Sequence, residues 1–466
     1  MKSASKLCAV VCASLLASAC VFETAGSSPA GDGPDTGDPA ADPELSPLPP
    51  QTSPDSAPTP IRDGRLQWVR GFAGIDDDVA RDVAVGEDGA IAFTGWFFPA
   101  IDFGGGEIRT ANGNDAAHVV LTPEGGHFAS SALGGSGNHF GFTIAAQGNG
   151  ASLIAGGFTD EIRIGDALLE ATGAWDGFVA SVDRAGNRRW ARALHGDSMT
   201  HVFAVASTPD GGAVVAGGFR GTTDLGGGPL RAVGDDSFVA RYAADGSHMW
   251  SRRFGGDDDD ATLAIAMHST ASGGDRIAIA GIHDGASFVA ALDGDGADLW
   301  YRWLGIPADE PATRIGFLPS GALIAAYARG DNASADVVVE RLTSTGATEW
   351  ARVFTGPGNN VPYGLAITPA GEIVVAGSFE QTIDVSGTQL VSAGGSDAFA
   401  SKLDARGGLV WTHSYGGAGD DSALSAAATA DSGVIVVGTY ETAADFGAGA
   451  LPVAGGSEMF AMKLAR

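Results

Sequence analysis

One unit recurs along this chain: a tight turn, a strand with a lone tryptophan, then glycine. It reads RDGRLQWVRGFAG at Trp68, VDRAGNRRWARALHG at Trp190 and YAADGSHMWSRRFGG at Trp250. It returns as LDGDGADLWYRWLG at Trp300, LTSTGATEWARVFTG at Trp350 and LDARGGLVWTHSYGG at Trp411. LTPEGGHFASSALGG is a weaker copy, with Phe128 in the aromatic place. From Trp68 to Trp411 the intervals are 60, 62, 60, 50, 50 and 61 residues. Seven copies at such periods point to a propeller or a solenoid, because one unit cannot bury its own apolar face.

Within a copy the apolar residues alternate at period two, which is strand patterning. ARDVAVGEDGAIAFTGWF gives a strand, a turn at Asp88-Gly89 and a second strand. A loop follows, then a third strand such as DGFVASVD or DAFASKLD, an Asp/Gly turn, and the tryptophan strand. Four antiparallel strands per copy predict an all-β fold, a seven-bladed β-propeller of four-stranded antiparallel blades. Alanine-rich first strands suit a crowded hub. Tryptophan on the outermost strand suits the wide end of a wedge, where a smaller residue would leave a void. The tryptophans are therefore expected to be core. The chain ends in SEMFAMKLAR, a third strand with no tryptophan strand after it, and the propeller begins with a tryptophan strand that has no third strand before it. The last blade is expected to be closed by the N-terminal strand, which removes open sheet edges.

The start, MKSASKLCAVVCASLLASAC, has Lys2 and Lys6, a short apolar run and small residues. That is export-signal patterning, and the run is about half the roughly 20 residues a spanning helix needs. LLASAC resembles the bacterial lipoprotein signal, which implies cleavage after residue 19 and acylation of Cys20; the alternative is ordinary cleavage with a free thiol. Val21, rather than Asp, after that cysteine resembles lipoproteins sent on to the outer membrane. All three cysteines (Cys8, Cys12, Cys20) lie in this segment, so no disulfide or thiolate metal site is expected beyond it. Residues 21–60 hold ten of the 21 prolines, seven acidic residues and no basic one. Such a segment cannot bury enough apolar surface to fold. The expected organisation is a lipoprotein signal peptide at 1–19, an acidic proline-rich disordered tether at 20–61 and the propeller at 62–466. The tether would span about 35 Å as a coil and at most ~120 Å as stiff polyproline. The net charge of −29 argues against nucleic acid and anionic lipid surfaces as partners, since both would repel it.

At this level the unit resembles the bacterial seven-bladed beta-propeller repeat, whose strand pair runs DxFVAKLDxxGxxxWxxxxGG followed by AxAVAxDxxGNxYVxG. DGFVASVDRAGNRRWARALHG, DSFVARYAADGSHMWSRRFGG and DAFASKLDARGGLVWTHSYGG carry the likeness, which covers roughly residues 62–466. It implies the fold, in an exported binding or surface module; separately, a monomer is expected, attached to the membrane only through its lipid anchor. It says little about function. A fainter likeness to quinoprotein-type propellers lacks the Thr of that motif and is one residue shorter between Asp and Gly, so no cofactor is carried over.

Two features rise above the scaffold. Aligning the first strands brings Asp78, His139, Thr200, Asp260, Glu310, Asn360 and Asp421 into register, a polar ring expected at one mouth of the channel. One reading is a cation site, calcium held by Asp78, Asp260 and Asp421, or a patch for a basic partner. The other is that short polar side chains satisfy backbone groups where a strand begins. Secondly, five copies carry long insertions between strands two and three, from IDFGGGEIRTANGND to ADFGAGALPVAGGSE. Copies four and five lack them, which predicts a notch lined by His283, Asp284, Tyr327, Arg329 and Asp331. The notch is a candidate ligand groove; neutral loss of dispensable loops is the alternative. No phosphate-binding glycine loop, GxSxG or HExxH occurs. The sequence thus predicts an exported, membrane-anchored propeller that binds a protein or glycan without catalysis. The rival reading is a polysaccharide hydrolase or lyase on the loop face.

Overall fold

The computed structural model describes residues 63–466, apart from 270–273, 306–311 and 332–333. The expected signal peptide, Cys20, the expected tether and Glu310 lie outside the described residues. The chain is an all-β propeller. Its first full repeat unit, for example, pairs Val79–Val85, Ile91–Phe97, Asp115–Leu121 and His127–Leu133 in that order, all antiparallel.

The expectation of seven blades is corrected. Five four-stranded sheets stand as separate blades, and the strands of 139–254, apart from the pair Glu161–Ile164 and Ala167–Glu170, form one eight-stranded sheet. The cause is local. The strand Ala213–Asp224 runs on past its own sheet, and its end pairs with the outermost strand of the preceding copy, at His195–Asp224 and Gly196–Thr223. Backbone groups at that outer edge would otherwise face solvent, so the extension both shields the edge and fuses two units. The strand Leu66–Phe72 pairs with Ser457–Leu464, joining the start of the described chain to its end in a single sheet.

Six innermost strands carry one extra residue near their middle. In Val79–Val85 the break falls between Ala80 and Asp82. Facing it is Gly95, where a Cβ would stand 1.8 Å from the Val79 carbonyl oxygen. Only glycine permits that approach, and the bulge turns the extra side chain toward the axis. The extra residues are Arg81, Phe142, Phe203, Leu263, Tyr363 and Leu424, and all of them line one central cavity.

The tryptophans sit where outer strands meet the next copy. Trp190 and Trp411 are buried, and Trp68, Trp250, Trp300 and Trp350 are half-buried. Each ring lies against the turn glycine of the following unit; Gly346 covers Trp300 in this way. Two residues after the tryptophan an arginine donates to that same glycine's carbonyl: Arg302 to Gly346 at 3.0 Å, Arg352 to Gly407 at 2.9 Å, Arg70 to Gly125 at 3.0 Å. Arg192 and Arg252 make the same bond to Gly246 and Gly296. At the closing junction His413 replaces arginine and bonds the Asp63 carbonyl at 2.6 Å. Phe128 does not take the tryptophan's place. By register that place falls to Ala129, opposite Val120, while Phe128 stands 48% exposed beneath the Arg184 guanidinium.

This junction makes a stability prediction. Gly346 has φ +82°, and a Cβ there would come within 2.8 Å of the Trp300 ring. Gly387 has φ +90° with nothing within 4 Å of its Cβ direction. Gly387→Ala should cost only the backbone strain, about 1 kcal/mol, and Gly346→Ala about 2–4 kcal/mol because a clash is added. Urea unfolding of the two variants checks the order; equal losses would remove the ring contact from the account.

Candidate functional site

The six described residues of the polar ring begin the innermost strands, but every one is at most 1% exposed. They do not face an open mouth. Their polar atoms hold the crossing loops. Asp78 accepts from the Phe98 amide at 3.1 Å and Asp421 from Gly417 at 2.7 Å. Asn360 donates to the carbonyls of Ala335 and Gly358 at 2.8 and 3.0 Å. Thr200 donates to Thr223 at 3.0 Å. His139 lies 2.9 Å from Asp115 and 2.8 Å from the Glu161 carbonyl. Burial alone would pull this imidazole down, but Asp115 and the carbonyls outweigh it and raise it. The channel lining begins about three residues later along each strand, at Arg81, Phe142 and their counterparts.

One ring member has a further role. Asp260 accepts from the Gly256 amide at 2.9 Å through one oxygen, and from the Asp284 amide at 2.9 Å through the other, which also lies 2.8 Å from His283 Nδ1. His283 Nε2 is 3.6 Å from Asp284 Oδ2. One ligand atom from each of Asp260, His283 and Asp284 falls within 4.8 Å of the others, a spacing that suits a divalent cation. It is the group of this kind that converges among the described residues, and it includes neither Asp78 nor Asp421.

His283 and Asp284 are at the point where copy four lacks its insertion. Four of the insertions form hairpins, such as Glu161–Ile164 with Ala167–Glu170, or are extensions of the two flanking strands, and the last holds a single bridge between Asp445 and Ala450. Copy four turns directly from His283 to Ala286, and copy five from Asp331 to Ser334. In copy two the hairpin residues Leu169 and Ala171 pack against the same apolar cluster as Ala191 and Ala193, the positions one and three residues past Trp190. In copy four those positions hold Tyr301 and Trp303, each 48% exposed.

These rings form an organised surface. The His283 ring stacks on Trp303 at 5.5 Å between centroids and 14° between planes. Tyr301 stacks on Phe288 at 5.3 Å and 10°, and meets Trp303 edge-on at 5.2 Å. Burial, with the charges of Asp260 and Asp284, holds the Tyr301 hydroxyl above its usual range, so it stays a donor. The remaining notch candidates fall elsewhere. Tyr327 is buried in the core of the adjoining sheet. Arg329 is exposed on Leu323–Asp331, and the Asp331 backbone pairs with Ser334. Tyr301 and Trp303 were missed because the tryptophan pattern drew attention to Trp300. The available signal was YRW, with two aromatic rings where no other tryptophan copy places one.

No protein-family profile matches the chain, and no curated protein matches it. Solved structures of similar fold include quinohemoprotein alcohol dehydrogenase ADHIIG from Pseudomonas putida HK5, at TM-score 0.42 and 10% identity, covering 86% of this chain and 76% of that one. Sqt1 from Chaetomium thermophilum gives TM-score 0.43, 11% identity and coverage of 85% and 98%. The Neurospora crassa Pan2 WD40 domain gives 0.38, 12%, 69% and 88%. At these scores none bears on activity, cofactor or partner.

The buried ring carboxyls generate a pH prediction. Burial, with a contribution from Glu458, pushes Asp78 up to about 8, and burial with Asp397 pushes Asp421 up to about 7. Both are protonated in the fold at pH values where the unfolded chain has them ionised, so folding takes up protons. Their stabilisation is complete below about pH 4 and is lost as pH rises toward 8 for Asp78 and 7 for Asp421. Thermal melts between pH 4 and 8 should show falling stability, and Asp78→Asn should flatten that fall. An unchanged slope in the variant would mean Asp78 is ionised in the fold.

Proposed function

We propose that this chain is a non-catalytic binding propeller that recognises a glycan on the exposed aromatic face of copy four. The observation that carries the reading is the pair Tyr301 and Trp303, each 48% exposed at the positions that copy two packs in one apolar cluster with its hairpin. Exposed aromatic rings braced by one another lose little freedom on binding and offer flat apolar area. A pyranose has a matching face of C–H groups, while its hydroxyls suit the exposed Asp284 carboxylate and the Tyr301 hydroxyl. A shallow face of this kind fits recognition rather than bond cleavage, which needs opposed carboxylates around an enclosed sugar. The head would stand off an outer membrane on an acylated Cys20 and the acidic tether of residues 20–61.

Glycan-array screening of the full-length protein, followed by calorimetry on the best hit, tests the site. The Tyr301→Ala, Trp303→Ala double variant should keep its circular dichroism and lose at least about tenfold in affinity, given roughly 1 kcal/mol or more per stacked ring. Wild-type affinity in that variant, or an array without a hit, would rule out the glycan reading. For the anchor, Cys20→Ser should abolish labelling with a radioactive fatty acid and release the protein from the membrane fraction.

A further inference from the structure

We infer that the central cavity is a second binding site, built for a small oxyanion held between Arg81 and Arg314. Each innermost strand contributes to this cavity, whose volume is about 240 Å³. That is below the several hundred Å³ of sites for drug-sized ligands, so the occupant is small. Phe142, Phe203, Leu263 and Leu424 belong to one apolar cluster that spans the axis. Against this apolar wall stand three charged side chains, Arg81, Asp82 and Arg314.

The carboxylate does not neutralise both cations. Asp82 is occupied by the backbone amides of Val83 at 2.9 Å and Ile144 at 2.8 Å, and by the Ser425 hydroxyl at 2.6 Å. Arg314 is braced from behind, its Nε donating to the Tyr363 carbonyl at 2.6 Å and its Nη1 to the Thr313 carbonyl at 3.1 Å. Arg81 is 9% exposed, and its buried Nε has no hydrogen-bond partner. An unsatisfied buried guanidinium nitrogen costs free energy unless something accepts from it. Burial lowers Arg314 to about 10, and the neighbouring Arg81 charge adds to the effect. Both guanidinium groups line the same largely apolar cavity, and Asp82 is the one carboxylate in that lining. An anion with two or more oxygens relieves both, since guanidinium forks match carboxylate and phosphate geometry. That a chain of net charge −29 keeps an excess of positive charge in its axial cavity is hard to attribute to solubility.

Titration calorimetry of the full-length protein with inorganic phosphate and, separately, with succinate distinguishes the tetrahedral from the carboxylate form of the ligand. At least one should bind saturably and raise the melting temperature. Arg81→Gln and Arg314→Gln should each weaken binding at least tenfold, and Arg253→Gln, on the outer strand His248–Phe254, should leave it unchanged. Without anion, Arg81→Gln should melt at the wild-type temperature or higher, because an uncompensated charge is removed; should that variant not fold, Arg314→Gln carries the test. No saturable binding of either probe, wild-type affinity in the folded variants, or equal loss in Arg253→Gln would each overturn the proposal.

Discussion

The contact between a tryptophan and the turn glycine of the next unit governs the rest of this structure. It is short-range, it recurs from junction to junction, and it uses both halves of the glycine. The ring packs on the Cα, and an arginine two residues on takes the carbonyl. Apolar burial alone would hold neighbouring sheets together without fixing how far one slides past the other. A hydrogen bond to one particular carbonyl fixes that, because a slip of one residue would leave the arginine unpaired. The inner strands depend on this register. Only when units are level do the bulged residues of different strands reach the same height on the axis and enclose one cavity.

Much of this was legible in the chain, for identifiable reasons. The period of the tryptophans and the alternation around Val79–Val85 are direct consequences of strand geometry, and they gave the strands and their order. The turn glycines were visible as Asp/Gly pairs. What the pattern could not give was the partner of each extension. Ala213–Asp224 looks like a strand followed by a loop, and nothing local says its last residues will pair with His195 and Gly196 of the preceding unit. The separate-blade expectation failed there, through a contact between units rather than within one. Phe128 failed for a related reason. It is aromatic at nearly the right spacing, but a one-residue offset puts it on the opposite face of the strand.

The sites were less legible than the fold. Aligning first strands found a set of polar residues in true register, yet register alone does not tell a lining position from a buried one three residues before it. The bulge decides that, and its signature is the glycine on the neighbouring strand, as at Gly95. With that rule the sequence would have yielded Arg81, Phe142, Phe203, Leu263, Tyr363 and Leu424 as the axial set. The missing insertion in copy four was read at His283 and Asp284, where the chain turns directly to Ala286. Tyr301 and Trp303 come from a strand further along the chain, and only the cluster that Leu169 shares with Ala191 and Ala193 in copy two shows why they stand exposed.

The pairing of Leu66–Phe72 with Ser457–Leu464 also sets an order of events during synthesis. The strand made first is the strand placed last. Val69 and Phe72 are buried in the finished fold; Phe72 packs early on Phe93 and Phe103, but the strand has no backbone partner until Ser457–Leu464 is made. Inner units can assemble from nearby segments as they appear, whereas this one waits on the slowest kind of encounter, between the two ends of the folded chain. Such a protein is exposed to aggregation at a defined site and for a defined interval, and its demand for a holding chaperone should fall on that one segment.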